Sequence, residues 1–550
     1  MGFFFFTNMK TNIRPIAAII LLFSIFSLAA CKNSQAPAQV SGTETHGIIP
    51  LPKQLDFSGD KITINQDFTF VKNNQFPIAS QAAEDLLTKS ITSFQISGSI
   101  PQNGKSLQLI ANKGIKDDAY ELSVNPDGIL IKAGNEAGAF WAVQSLRQYF
   151  WNTTNGQKQN SLDLACLKIV DEPKYEWRGF HLDVSRHMFT KDYILKIIDW
   201  LAYYKFNKFH LHLTDDQGWR IESKKFPLLN EIGSWRTFDR NDSICMQKAK
   251  ANPEFAIDPR FIQVRNGKTL YGGYYTREDL TEIVAYARAR FIEVIPEIDM
   301  PGHMSAAIKA YPQLSCNGSA GWGAEFSYPI CPCNNEAFDL AFQIWDEIVD
   351  LFPSNYVHIG ADEVEKDTWQ SSQTCQNFMK ANNLTNVKEI QSFFVKKLQE
   401  HLEAKGKTVI AWDDVTEDKM DSKLKIMYWR DWVKDAPAKA AANGNQIIFT
   451  RWDLFYFSGQ YSDEVLKNQL EFDLSREYPA SVTSKVIGFQ GCVWTEEIPS
   501  EAIFESQIFP RLQALSEVNW SAGTNLYSFN IRIKPHLNYL KTNNVHLRMN

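Results

Sequence analysis

The sequence predicts an α/β fold, a (β/α)8 TIM barrel preceded by a small α+β domain. Three observations predict it. From Trp177 onward, apolar runs of strand length alternate with amphipathic helical segments, eight such runs can be placed, and the stretch before them follows a different rhythm of short strands with one helix.

The chain opens with an address. Lys10 and Arg14 precede an apolar stretch over 16–28, and Leu28-Ala29-Ala30-Cys31 follows. A basic region, a short apolar region and small residues in that order make residues 1–31 an export signal peptide, cleaner if read from Met9. A cysteine directly after two small residues resembles the bacterial lipoprotein signal, which implies lipidation of Cys31 and an exported, membrane-anchored protein in the periplasm or at the cell surface. A plain signal peptide with an incidental cysteine is the alternative. Residues 32–46, rich in Ser, Gln, Ala and Pro, read as a flexible tether.

Residues 47–172 are expected to form the small α+β domain, with strands at 61–65, 106–111, 119–124 and 128–133 and a helix over 136–150. Residues 173–550 are expected to form the barrel. Its strands are predicted at 178–184, 206–213, 292–298, 356–360, 408–411, 425–428, 446–449 and 486–493. The helices between them carry matching signals: Ile194, Ile197, Ile198 and Leu201 share a face after a Thr190 cap, and Leu280, Ile283, Val284 and Ala287 do so after Thr276, with Asp279 completing a box-like start.

Composition narrows the partners. A net charge of -6 over 550 residues leaves no basic footprint, so neither nucleic acid nor an anionic membrane surface is expected as a ligand. Thirteen of the 15 tryptophans lie at or after Trp177, which suits either core packing or an aromatic-walled site in the barrel. Seven of the eight cysteines remain once Cys31 is set aside, an odd number, so at least one is unpaired in an oxidising compartment. One disulfide stapling the loop of Cys316, Cys331 and Cys333 is expected. Cys331-Pro332-Cys333 has too short a spacing for a usual structural zinc pair.

In barrels of this kind the chemistry sits at the C-terminal ends of the strands. Those ends read Asp183 and Arg186; Asp215 and Asp216; Glu297, Asp299 and His303; Asp362 and Glu363; Trp412 to Asp414; Trp429 and Arg430; Tyr456; and Trp494 with Glu496. Carboxylates that orient hydroxyls, indole faces and an arginine anchor suit a neutral sugar. Two-carboxylate retaining glycosidases place their acids about 5 Å apart across the scissile bond. Adjacent Asp362 and Glu363 do not flank one bond easily. They suit substrate-assisted chemistry, in which a 2-acetamido oxygen attacks the anomeric carbon, one carboxylate steadies the amide, and the other protonates the leaving oxygen.

Several longer motifs then stand in order: Ile49-Pro50-Leu51-Pro52, Trp177-Arg178-Gly179, Leu182-Asp183-Val184-Ser185-Arg186-His187, His210-Leu211-His212-Leu213-Thr214-Asp215-Asp216-Gln217-Gly218-Trp219, Pro296-Glu297-Ile298-Asp299-Met300-Pro301-Gly302-His303 and His358-Ile359-Gly360-Ala361-Asp362-Glu363. With these the sequence resembles glycoside hydrolase family 20, the β-N-acetylhexosaminidases, over nearly all of the chain after the leader. The resemblance implies an exo-acting hydrolase that takes terminal N-acetylhexosamine from an oligosaccharide or glycoconjugate, without cofactor or metal. It implies Glu363 as acid and then base, and Asp362 as the group that holds the acetamido N–H. Arg186 would grip the 3- and 4-hydroxyls, and Asp215 and His303 would tune Glu363, with Asp299 supporting the same mouth. Trp412, Trp429 and Trp494 would wall the subsite, Tyr456 would donate to the acetamido oxygen, and Glu496 would bind the 4- or 6-hydroxyl. Trp452 is either an outer platform or plain packing. Two departures from the family pattern stand out: Ala361 where Gly is common, and Ser458 where Asp or Asn is usual, which puts the choice between gluco and galacto sugars in doubt.

Two other readings compete. His210-Leu211-His212 on a barrel strand is compatible with a metal-dependent amidohydrolase, but the fifth and sixth strands end in Trp412 and Trp429 where that chemistry needs more histidines. A sugar-binding lipoprotein on a decayed hydrolase is the other, opposed by the retention of Asp362, Glu363 and Tyr456.

Overall fold

A computed structural model describes residues 46–101, 104–318, 326–459 and 461–548. The leader, Cys31 and residues 32–45 of the expected tether lie outside the described residues. His46, the last residue assigned to the tether, is buried: its carbonyl accepts from Asn152 Nδ2 at 2.8 Å. The folded body therefore begins at or before His46.

The first layer is a seven-stranded sheet ordered Gln54–Ile64, Leu162–Asp171, Tyr120–Asn125, Gly128–Ala133, Ser106–Ala111, Thr69–Val71 and Gln95–Ser97. Helix Glu136–Thr154 lies on it, capped by Asn135, whose side chain accepts from Gly138 N–H. The sequence signal finds four of these strands. It misses Leu162–Asp171 altogether, the first half of Gln54–Ile64, where Asp56, Gly59 and Asp60 face solvent, and two strands of three residues each.

Eight parallel strands close the barrel: Trp177–Asp183, Lys208–His212, Glu293–Glu297, Tyr356–His358, Thr408–Trp412, Lys425–Tyr428, Ile447–Phe449 and Val486–Val493. The eighth pairs with the first, Gly488 opposite Trp177 through Val493 opposite Leu182, so no edge is left open. Each coincides with a predicted strand to within a few residues. Helix Lys191–Tyr203 begins on Thr190, whose side chain accepts from Tyr193 N–H, and helix Arg277–Arg288 begins on a full capping box of Thr276 and Asp279. Among the described residues no helix is long and apolar enough to cross a membrane.

Two disulfides, Cys316–Cys331 and Cys333–Cys375, replace the single staple expected. Cys375 sits on a helix 42 residues from Cys333, a separation that sequence spacing does not reveal. Cys166, Cys245 and Cys492 are unpaired and buried.

Sheet and barrel meet around an ion pair with no exposed surface, Lys205 Nζ to Asp171 Oδ2 at 3.0 Å. Tyr120 donates its hydroxyl to Asp171 at 2.6 Å, Trp520 donates its indole N–H at 2.9 Å, and the ammonium lies 4.4 Å from the Trp520 ring centroid. Burial lowers the Lys205 pKa, and the Asp171 charge opposes that shift. Removing one member of such a pair strands the other charge in an apolar medium. Lys205→Met is therefore expected to lower unfolding free energy by about 3–5 kcal/mol in denaturant titration, and adding Asp171→Asn should recover part of it. A single variant as stable as the parent would show that the pair does not join the two layers.

Candidate active site

A cavity of about 270 Å3 opens at the C-terminal ends of the barrel strands, lined by Arg186, Asp215, His303, Phe326, Asp362, Glu363, Trp429, Trp452, Tyr456, Ser458, Trp494 and Glu496. Larger cavities exist, including one of about 340 Å3 beside helix Lys388–Glu403, but the strand-end carboxylates converge on this one. Seven different strand ends supply its walls, as expected of a barrel mouth.

The wall is built outward from the barrel axis. Glu297 has no exposed surface and lies 2.6 Å from His212 Nδ1, 3.0 Å from His210 Nε2 and 3.0 Å from His358 Nδ1, while Trp412 donates its indole N–H to it at 2.8 Å. Burial alone would raise the Glu297 pKa, but the surrounding imidazoles hold it well below the ordinary carboxylate range. Burial would likewise lower that of His212. Glu297 and Asp215 outweigh it and push His212 up to about 10. His212 Nε2 then reaches Asp215 Oδ2 at 2.9 Å, and Asp215 Oδ1 accepts from His303 Nδ1 at 3.1 Å. His303, held protonated mainly by Asp215 against the opposing effect of burial, presents Nε2 at 3.6 Å from Glu363 Oε2. Charges thus alternate in sign from Glu297 through His212 and Asp215 to His303, which faces Glu363, whose side chain is 34% exposed.

Asp362 is different. It is buried, and its Oδ1 has no hydrogen-bond partner among the described residues. Burial first, and the nearby Asp299 charge second, raise its pKa well above the ordinary range. Burial raises that of Asp299 too. Ligand atoms of Asp299, His303 and Asp362 all lie within 4.8 Å of one another. Adjacent residues therefore present one solvated carboxylate and one bare, buried acceptor.

The backbone that makes this possible is strained. Gly360, Ala361 and Glu363 have φ of 67°, 70° and 47°, and His303 has 52°. Non-glycine residues in this region cost on the order of 1 kcal/mol or more each and persist only where the surroundings hold them. Here Asp299 Oδ1 accepts from Ala361 N–H at 3.0 Å, Gln391 Nε2 donates to Ala361 O at 2.9 Å, and Asp414 Oδ1 accepts from Glu363 N–H at 3.1 Å. Gly360 is irreplaceable: a Cβ there would sit 1.9 Å from Asp299 Oδ1. Ala361, where glycine is freer, carries its left-handed φ at a steric cost.

Arg186 sits between carboxylates, Nη2 at 2.7 Å from Asp215 and Nη1 at 3.2 Å from Asp183, with Nε donating to Gln217 at 2.8 Å. These contacts keep it charged against burial and leave part of its fork facing the cavity, 3.9 Å from Glu496. Trp429 donates its indole N–H to Asp414 Oδ2 at 2.9 Å and stacks with Tyr456, centroids 6.1 Å apart. Trp494 closes the wall 6.2 Å from Tyr456.

The structure gathers Arg186, Asp215, His303, Asp362, Glu363, Trp429, Tyr456, Trp494 and Glu496 at one cavity. Trp412 departs from its expected place. It is the last residue of the fifth strand, fully buried, its ring turned inward to Glu297 and 5.9 Å from Trp494, so it backs the wall without lining it. His210 and His212, the basis of the metal reading, direct ring nitrogens at Glu297. Sequence reasoning missed Gln391, Phe326 and Trp432. Gln391 lies on a helix with no motif to mark it, whereas Trp432 stands two residues past Arg430 and was within reach.

The pair Asp299 and Asp362 gives a signed prediction. Asp299→Asn keeps an oxygen for Ala361 N–H but removes a charge that disfavours ionised Asp362. The acid limb of the kcat/KM profile, which reports the free enzyme, should move to lower pH by about one unit. A limb that stays in place would show that the two carboxyls do not share charge.

Comparison with known proteins places these features. Residues 175–523 match the model for the glycosyl hydrolase family 20 catalytic domain, and residues 45–172 match that for domain 2 of the same family. The chain is 32% identical over 522 residues to a beta-hexosaminidase of Porphyromonas gingivalis, across 90% of this chain and 63% of the relative's length. It is 27% identical over 531 residues to a beta-hexosaminidase of Vibrio furnissii, across 92% of this chain and 81% of that one. Among solved structures, the GH20 exo β-N-acetylglucosaminidase of Vibrio harveyi with N-acetylglucosamine superposes with a TM-score of 0.79 at 27% identity, covering 95% of this chain and 81% of that one. A mutant Streptomyces plicatus β-hexosaminidase with its product GlcNAc gives 0.75 at 27% identity, covering 93% and 98%.

Proposed function

The chain belongs to glycoside hydrolase family 20, and on that premise we propose that it removes terminal, non-reducing, β-linked N-acetylglucosamine or N-acetylgalactosamine by substrate-assisted retaining catalysis. One observation carries the reading: a bare, buried carboxylate oxygen on Asp362 beside an exposed carboxylate on Glu363. An acceptor buried without a partner is costly, and a substrate amide N–H would satisfy it.

The steps follow from the residues. With its N–H on Asp362, the acetamido group is turned so that its oxygen attacks the anomeric carbon, while Glu363 gives its proton to the leaving oxygen. Positive charge then develops on the oxazolinium-like ring beside ionised Asp362. A charge formed next to a fixed anion in a water-poor site is stabilised far more than in solvent. Glu363, now a carboxylate next to the His303 cation, takes a proton from the water that opens the ring, and retention follows from two inversions. Tyr456, Trp429 and Trp494 line the same cavity, where Tyr456 would donate to the acetamido oxygen and the two indoles would enclose the methyl. Arg186 and Glu496 bound the cavity where the 3-, 4- and 6-hydroxyls would lie, which supports action on chain ends. Ser458 lines the same cavity with a short neutral group, so discrimination at the 4-position is expected to be loose.

The order of residues in 10–31 supports export and lipid attachment at Cys31, with the body held at a membrane surface on the tether. Radiolabelled palmitate incorporation, absent in Cys31→Ser, tests it.

For the chemistry, p-nitrophenyl β-N-acetylglucosaminide and β-N-acetylgalactosaminide should both be hydrolysed by protein beginning at Lys32. Glu363→Gln is expected to lower kcat/KM by about 10²- to 10⁴-fold. Folded wild type that binds these sugars without turnover would move the assignment to a sugar-binding protein.

A further inference from the structure

Arg147, on helix Glu136–Thr154, is partly buried, and its side chain makes no hydrogen bond or ion pair among the described residues. A guanidinium drawn out of water without a carboxylate beside it is costly to keep. It stands on the shared wall of two cavities between the small domain and the barrel, of about 550 Å3 and 350 Å3, both also lined by Lys89, Tyr203 and Tyr539. Neither shares a residue with the active-site cavity. Burial raises the pKa of the Tyr203 and Tyr539 hydroxyls and the Arg147 charge opposes the rise, which puts the guanidinium near both phenols. Tyr203 is 2% exposed, and its hydroxyl has no hydrogen-bond partner among the described residues. The indole N–H of Trp151, on the wall of the smaller cavity, has none either. Tyr539 stacks on Tyr203, centroids 4.7 Å apart, and Trp151 meets Tyr539 edge-on at 4.9 Å, so these groups ride on one aromatic cluster.

No carboxylate lines the smaller cavity, and Arg147, Lys89, the Trp151 indole and the Tyr203 hydroxyl all offer it donors. The larger cavity adds Asp85 and Asp199. Asp199 already accepts from Arg290 at 2.7 Å and from Tyr286 at 3.0 Å, whereas Asp85 receives only Gln81 Nε2 at 2.9 Å. We propose that the two cavities together bind a sugar acid, a pyranose bearing one carboxylate or sulfate, at a site separate from catalysis. The anion meets Arg147, Lys89 and the two unpaired donors, and ring hydroxyls reach Asp85. A guanidinium takes either anion through two parallel N–H···O bonds. A polyphosphate would set its further charges against Asp85 and Asp199, and a neutral sugar would leave Arg147 unanswered. Either cavity alone is within the range of small-molecule sites.

The test is isothermal titration calorimetry with glucuronate and glucose 6-sulfate as probes, and glucose and inorganic sulfate as controls, on wild type, Arg147→Met and Tyr203→Phe. At least one acidic sugar should bind wild type, and saturating N-acetylglucosamine should leave that binding in place. Arg147→Met should weaken it by about 10-fold or more, the loss of a charged hydrogen-bond donor, and Tyr203→Phe by about 3- to 10-fold. Neither side chain has a partner to strand in the empty groove, so both variants should melt at or above the wild-type temperature, where a structural role would lower it. The tighter of the two acids tells carboxylate from sulfate. The site is overturned if neither acid binds, if N-acetylglucosamine displaces them, or if Arg147→Met binds them unchanged. Glucose or inorganic sulfate binding as tightly as the acids would overturn it equally. None of these outcomes touches the hydrolase assignment.

Discussion

At the centre of the barrel one carboxylate, Glu297, gathers three histidines and an indole around itself with no access to solvent. A lone buried anion of this kind would be too costly to keep, so the barrel interior must answer it with donors. The answer reaches the surface. Because Glu297 holds His212 as a cation, Asp215 has a positive partner below it as well as Arg186 beside it. Asp215 in turn holds His303 protonated and aimed at Glu363. The polarity of the mouth is therefore set several ångströms beneath it, by residues that a substrate never touches.

The strained strand end is the complement to that rigid interior. Left-handed backbone at Ala361 and Glu363 is maintained by hydrogen bonds from three separate elements, through Asp299, Gln391 and Asp414. Without those supports the chain would relax toward ordinary φ and turn Asp362 away from its buried position. Helix Lys388–Glu403 thus takes part in the site through one glutamine, although it contributes nothing to the cavity wall.

Much of this was legible in the sequence. The barrel announced itself because its strands are buried on both faces and are rich in Val, Ile, Leu and Phe at regular intervals between amphipathic helices, and the Thr190 and Thr276 caps were visible as residue types in register. The site was legible because its residues cluster at strand ends. What stayed hidden lay where side-chain direction decides. Trp412 falls at the boundary between strand and loop, and only the inward pleat assigns it to Glu297. Cys375 and Gln391 come from helices whose sequence signal is amphipathic and nothing more. The short strands Thr69–Val71 and Gln95–Ser97 are held by their neighbours in the sheet, not by their own pattern.

Asp362 and Glu363 are joined by a single peptide bond, and this bounds the distance between their two carboxylates covalently. A hydrolase whose two acids ride on different strands loses its working separation when the barrel loosens. Here thermal breathing would first part Arg186 on the first strand end from Glu496 on the eighth, while the two carboxylates keep their spacing. Heating, or drift in the outer helices, should therefore erode the hold on the sugar before it erodes the chemistry, leaving an enzyme that becomes less selective before it becomes slow.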